Sequence, residues 1–123
     1  MIFIVEWSFI EQEQKMICEK LGVPWHPIEP RSLIAFNESL FSSVAPINGL
    51  RHPKQVVIDG WYLWSGEEIS EDEDYFKPIH VEHLIERKGI VLKYLALPPG
   101  WRFQIDENGY EDIWYDPLIL EIE

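Results

Sequence analysis

The stretch Gly60-Trp61-Tyr62-Leu63-Trp64-Ser65-Gly66 constrains the fold of this chain more than any other. Aromatic side chains favour a pleated, half-buried strand, and the glycines at either end mark where it begins and stops. A period of two sets Trp61 and Leu63 on one face and Tyr62 and Trp64 on the other. Past Gly66 the composition changes abruptly, because six of the eight residues from Glu67 to Asp74 are acidic. A field of that kind repels nucleic acid and anionic lipid, and attracts a basic protein or a cation.

The 123 residues are enough for one compact domain and too few for two. With 46% hydrophobic and 14% aromatic residues, the chain is expected to bury a packed core. A formal net charge of −12, with only ten lysines and arginines, argues against direct binding of DNA, RNA or an anionic membrane. One cysteine, Cys18, cannot close an intramolecular disulfide and reads as a small hydrophobe on a helix face. The opening Met-Ile-Phe-Ile-Val-Glu-Trp has no basic leader and is broken by Glu6, so a cytoplasmic location is expected.

Ser8-Phe9-Ile10-Glu11 matches a capping box and predicts a helix over about 9–21, with Ile10, Ile17 and Leu21 on its apolar stripe and Gly22 and Pro24 as the stop. Pro24, Pro27 and Pro30 predict an extended connector. Short strands are expected at Leu33–Phe36, between Val44 and Leu50, and more weakly over Gln55–Ile58. Pro78 suits a helix start, with Val81, Leu84 and Ile85 as its buried face, and Ile90–Leu95 suits a second short helix. Trp101–Ile105 and Tyr110–Tyr115, joined through Asn108-Gly109, read as a hairpin, and Leu118–Leu120 as an apolar tail packed on the sheet. The fold class expected is α+β: a single domain with a mostly antiparallel sheet and two or three helices packed to one side.

Few constellations in the chain carry chemistry. His80 and His83 stand three apart beside Glu82 and Glu86, but catalytic zinc requires a third protein ligand and no partner motif is present. Glu71, Asp72, Glu73 and Asp74 offer hard oxygen ligands without the alternating pattern and the glycine of a calcium loop. No serine sits in a nucleophile elbow, and no glycine-rich loop can cradle a phosphate. An ordinary solvated loop is the usual reading of an acidic run, and the aromatic flanks raise partner recognition beside it as the alternative. Glu111 to Asp116 repeats the mixture of aromatics and carboxylates, and the two patches are expected on neighbouring strands. Against that reading, Trp61, Trp101 and Trp114 suit a core equally well.

Four segments, Pro46–Pro53, Gly60–Glu68, Phe76–Leu84 and Tyr94–Phe103, resemble in this order the immunity protein 33 domain family, and the likeness runs from about Ile47 to Leu120. Its most specific element is Gly60-Trp61, four residues, then Gly66-Glu67. The resemblance implies a bacterial cytoplasmic protein that neutralises a toxin of a competition system, with no catalytic residues and no cofactor. The helix before Gly22 lies outside the segments that carry it.

Residues and resemblance together give a working expectation. The chain is a non-enzymatic immunity protein whose partner is a cognate toxin, basic and a candidate nuclease. Trp64 and Tyr75 are the expected anchors, and Glu67, Glu68, Glu71, Asp72 and Asp74 the steering charges. The alternatives are a small metal-dependent hydrolase using His80 and His83, and a non-catalytic adaptor.

Overall fold

The computed structural model describes residues 2–121 other than 68, 71 and 73, with side chains from Trp7 onward. Helix α1 spans Ile2–Leu21. It begins well before the predicted start, so Ser8 lies exposed inside the helix and its capping box with Glu11 is not the terminus. The reason is tertiary: Trp7, one residue ahead of that box, is buried and belongs to the stripe Trp7, Ile10, Gln14 and Cys18 that faces the core. The end of α1 falls where expected. The amides of Gly22 and Val23 close back onto the carbonyls of Glu19 and Cys18, completing a Schellman turn.

Six strands follow: β1 (Leu33–Phe36), β2 (Ile47–Arg51), β3 (Trp61–Ser65), β4 (Lys77–His80), β5 (Trp101–Ile105) and β6 (Glu111–Tyr115). They form one sheet in the order β4-β1-β3-β2-β5-β6. Every neighbouring pair is antiparallel except β1 with β3, which is parallel. A 3-10 turn at Val81–His83 leads into α2 (Leu84–Arg87), and a longer 3-10 segment covers Gly89–Tyr94. The architecture is α+β, with α1, α2 and the Gly89–Tyr94 segment contributing to a core on one side of the sheet.

That core holds Ile34, Ile47, Trp61, Leu63, Phe103 and Ile105 from the sheet against Trp7, Ile10, Cys18, Leu84 and Leu92. Gln14 is buried among them at no cost in unmet hydrogen bonds, because its Nε2 donates to the Leu92 carbonyl (3.0 Å) and its Oε1 accepts from Trp25 Nε1 (3.3 Å). On the opposite face, among the described residues, no α-helix joins the packing. A smaller cluster of Leu50, Trp64 and Ile119, with Tyr62, Tyr75 and Phe76 beside it, covers its middle. The alternation read from the sequence is therefore observed: Trp61 and Leu63 point into one cluster, Tyr62 and Trp64 into the other. Ile119 comes from a terminal 3-10 turn, Pro117–Leu120, that packs on the sheet as the apolar tail was expected to.

Three local expectations fail. Gln55–Ile58 forms a turn closed by the Gln55 amide on the Ile58 carbonyl, with Val56 and Val57 fully open to solvent, so no neighbouring strand is there to pair with it. Pro78 sits inside β4, and the helical residues begin only at Val81, because β4 is an edge strand where a missing amide is tolerated. The two aromatic and acidic segments do not neighbour one another, since β2 and β5 separate β3 from β6 by about 14 Å in all. Among the described residues, no helix is long and apolar enough to cross a membrane.

Candidate functional site

The acidic run leaves the sheet at the end of β3 and returns at the start of β4, so it projects from the sheet between two anchored roots. At the first root the Gly66 amide donates to the Pro46 carbonyl (2.8 Å), and Asn48 Nδ2 donates to the Gly66 carbonyl (2.7 Å). At the second, Asn37 Nδ2 donates to the Tyr75 carbonyl (2.7 Å), while Asn37 Oδ1 accepts from the Ser39 amide as the cap of a 3-10 turn. Two asparagine amides thus hold the loop at its ends. Between them, Asp72 Oδ1 accepts from the Asp74 amide (3.0 Å) and the Tyr75 amide donates to the Asp72 carbonyl (3.0 Å), a tight local turn.

The two ends of the loop meet in an aromatic cluster. Phe76 meets Tyr62, Trp64 and Tyr75 edge-to-face, with ring centroids 5.1, 6.0 and 5.0 Å away. This packing decides the role of Trp64. Its side chain is only 5% exposed, packed in the cluster with Phe76, so the indole offers little surface to a partner. Tyr75 is half-buried and accessible, and Ile69 is exposed on the loop itself. Glu67, Asp72 and Asp74 are exposed; Glu68 and Glu71, also expected among the steering charges, lie outside the described residues.

No cation neutralises these carboxylates among the described residues, where the ion pairs are Arg51–Asp59, Lys88–Glu107 and Arg102–Asp116. Exposed carboxylates on a loop with fixed ends are suited to attracting a basic surface. His80 and His83 stand at the end of β4 away from the loop and on the turn after it, both exposed with ring centroids 5.8 Å apart. Among the described residues, no third His, Cys, Asp or Glu joins them in a metal-binding group.

The sequence motif around the loop is largely architectural. Trp61 is fully buried, and its Nε1 donates to the Leu95 carbonyl at 2.8 Å. Gly60 has φ +84, and a Cβ there would stand 2.1 Å from the His52 carbonyl oxygen, so only glycine fits. Asn37 and Asn48 escaped the sequence reading. The Asn37-Glu38-Ser39 pattern is a recognisable cap, whereas the contact of Asn48 with Gly66 depends on how β2 and β3 pair.

No curated protein and no solved structure is significantly similar to the chain. The Imm33-like domain matches it over residues 13–116, which takes in the second half of α1, all six strands and the acidic loop. The match reaches further towards the N-terminus than the resemblance read from the motifs, so part of the helix before Gly22 belongs to the shared domain. On this evidence the chain belongs to the Imm33-like domain family.

Proposed function

We propose that this chain is a non-catalytic immunity protein that binds one cognate bacterial toxin and blocks it stoichiometrically, through the acidic loop over residues 67–75. Membership of the Imm33-like family supports the class of function. The observation that carries the choice of surface is the loop itself: exposed carboxylates at Glu67, Asp72 and Asp74, without an ion-pair partner among the described residues, on a loop whose ends are fixed by asparagine side chains and flanked by an aromatic cluster. Fixing the roots before binding reduces the ordering cost that association would otherwise incur. Glu68 and Glu71 extend the same charge by sequence, and Tyr75 and Ile69 supply apolar contact beside it.

The partner favoured by this chemistry is a basic protein, and a nuclease fits well because its cleft is built to receive phosphates. Carboxylates presented to such a cleft occupy it without being substrates. Cytoplasmic residence follows from the same reading, since a toxin acting on nucleic acid has to be met there.

The test is co-expression with candidate toxins from the neighbouring genes, followed by reconstitution from purified components. Growth restored by the chain, with a one-to-one complex in which the toxin is inactive, is the expected result. Growth restored while the toxin stays fully active in that complex would overturn the blocking mechanism, and no complex at all would overturn the function.

A further inference from the structure

The sheet has two edges, and they differ in what they offer. At the β4 edge, Pro78 supplies no amide, and proline within a sheet is tolerated where its nitrogen faces away from the ladder, so that edge lacks a donor an added strand would need. At the β6 edge there is no proline. The hydrogen-bond phase of β6 follows from its ends: the Asp106 amide bonds the Tyr110 carbonyl, and the Asp116 amide bonds the Gly100 carbonyl. Alternation in the intervening register then directs the backbone groups of Asp112 and Trp114 towards β5, and those of Glu111, Ile113 and Tyr115 outward. Among the described residues, nothing bonds these outward amides and carbonyls.

Beside this edge runs a groove of about 400 Å³ between β6 and the second half of α1. Ile113 lines one wall, and Met16, Ile17 and Leu21 line the other. Met16 is 69% exposed, a large apolar side chain open to solvent. Side chains of Glu111, Ile113 and Tyr115 lie on the helix side of the sheet, so a strand added to β6 would place alternate side chains over the groove.

We propose that the β6 edge and the α1 groove together form a second docking surface, which takes an extended segment of a partner protein as an additional strand. Main-chain hydrogen bonds to Glu111, Ile113 and Tyr115 supply the affinity, and apolar side chains at alternate positions fill the groove. Lysine or arginine is favoured at the other positions, because those lie on the face of Asp112, away from a groove in which Lys20 and Lys93 balance Glu13 and Glu111, and because the chain carries a net charge of −12. The same charge disfavours a second copy of this chain as the occupant. This surface is separate from the acidic loop, three strands away, and stands or falls independently of it.

The probe is a short peptide alternating lysine with valine, titrated into the isotope-labelled full-length protein and followed by amide exchange and chemical shift. The expected result is slowing of exchange by about tenfold or more at Glu111, Ile113 and Tyr115, against little change at Asp112 and Trp114, together with shifts at Met16 and Ile17. Met16→Gln, on an exposed helix position, should weaken peptide binding by about tenfold, the scale of one buried apolar side chain. Of two peptide copies, N-methylated on the valines or on the lysines, one should bind and the other should not, since only one set of amides faces β6. Equal binding by both copies, shifts confined to the 67–75 loop, or protection of the same three amides by self-association without peptide would each overturn the proposal.

Discussion

Arg51 reaches Asp59 at 3.1 Å from Nη2 to Oδ1, with the arginine side chain 1% exposed at the centre of the molecule. Its Nη1 donates to the carbonyls of His26 (2.9 Å), Leu97 (2.8 Å) and Leu95 (3.3 Å). One guanidinium therefore ties β2 to the proline-rich connector, to the residues before β5 and to the loop ahead of β3. Burial pulls its pKa down, and the neighbouring Asp59 carboxylate opposes that shift.

Arg51→Met is expected to destabilise the fold by about 3–5 kcal/mol, because it leaves the largely buried Asp59 carboxylate and the His26 and Leu97 carbonyls without their donor, while the Leu95 carbonyl keeps Trp61 Nε1. Arg51→Lys should recover little of this, since a single ammonium cannot reproduce the fork. Arg51→Met with Asp59→Leu should recover more than Arg51→Lys does. Urea unfolding midpoints for the three variants check the order.

Gly60→Ala should cost at least about 2 kcal/mol, from an unfavourable left-handed backbone and a clash with the His52 carbonyl that only a backbone shift can relieve. Gly60 lies at the start of the strand that bears the loop on its far end, so the variant should keep its partner affinity once folded. Thermal melting and binding, measured on the same preparation, separate the two effects.

Tyr94 gives a pH dependence with a definite sign. Its hydroxyl donates to Glu111, and its ring stacks on Phe103 at 4.7 Å. Burial, with the Glu111 hydrogen bond and charge acting in the same direction, raises its pKa well above the ordinary value near 10. The folded state then holds this proton where the unfolded chain releases it, so the stabilisation is complete below about pH 10 and is lost as pH climbs above it. Ultraviolet titration should show one of the five tyrosines resisting ionisation until the protein unfolds. Tyr94→Phe should abolish both that resistance and the extra alkaline loss of stability.

Asn37→Ala and Asn48→Ala each remove one root of the acidic loop. Each should cost about 1 kcal/mol of stability, and hydrogen exchange between residues 66 and 76 should accelerate more than in the main core. Equal acceleration everywhere would show that the asparagines support the whole fold and not the loop.

How far the sequence foretold this depends on whether a feature is local. The glycine-bounded strand Trp61–Trp64, the Asn108-Gly109 hairpin and the Gly22 stop were legible because turn chemistry and alternation act over a few residues. The true start of α1 was not, because Ser8 has a good local capping pattern that burial of Trp7 overrides. Arg51 was invisible for the opposite reason: its four partners are scattered from His26 to Leu97, and nothing in the string Leu50-Arg51-His52 marks it as buried. At the candidate site, the acidic run and its aromatic flank were plain in the sequence. The exposure within the flank was not: Trp64 is buried against Phe76, which comes from the far end of the loop, whereas Tyr75 stays partly exposed.

The central claim is that the acidic loop draws in and contacts a basic toxin. It is tested most directly by the association rate of the purified toxin with the wild-type chain and with a variant carrying Glu67→Gln, Glu68→Gln, Glu71→Gln, Asp72→Asn and Asp74→Asn, across a range of salt. The account predicts association slowed by about tenfold or more at low salt, and a much flatter salt dependence. An association rate that the five substitutions leave unchanged at low salt would contradict it.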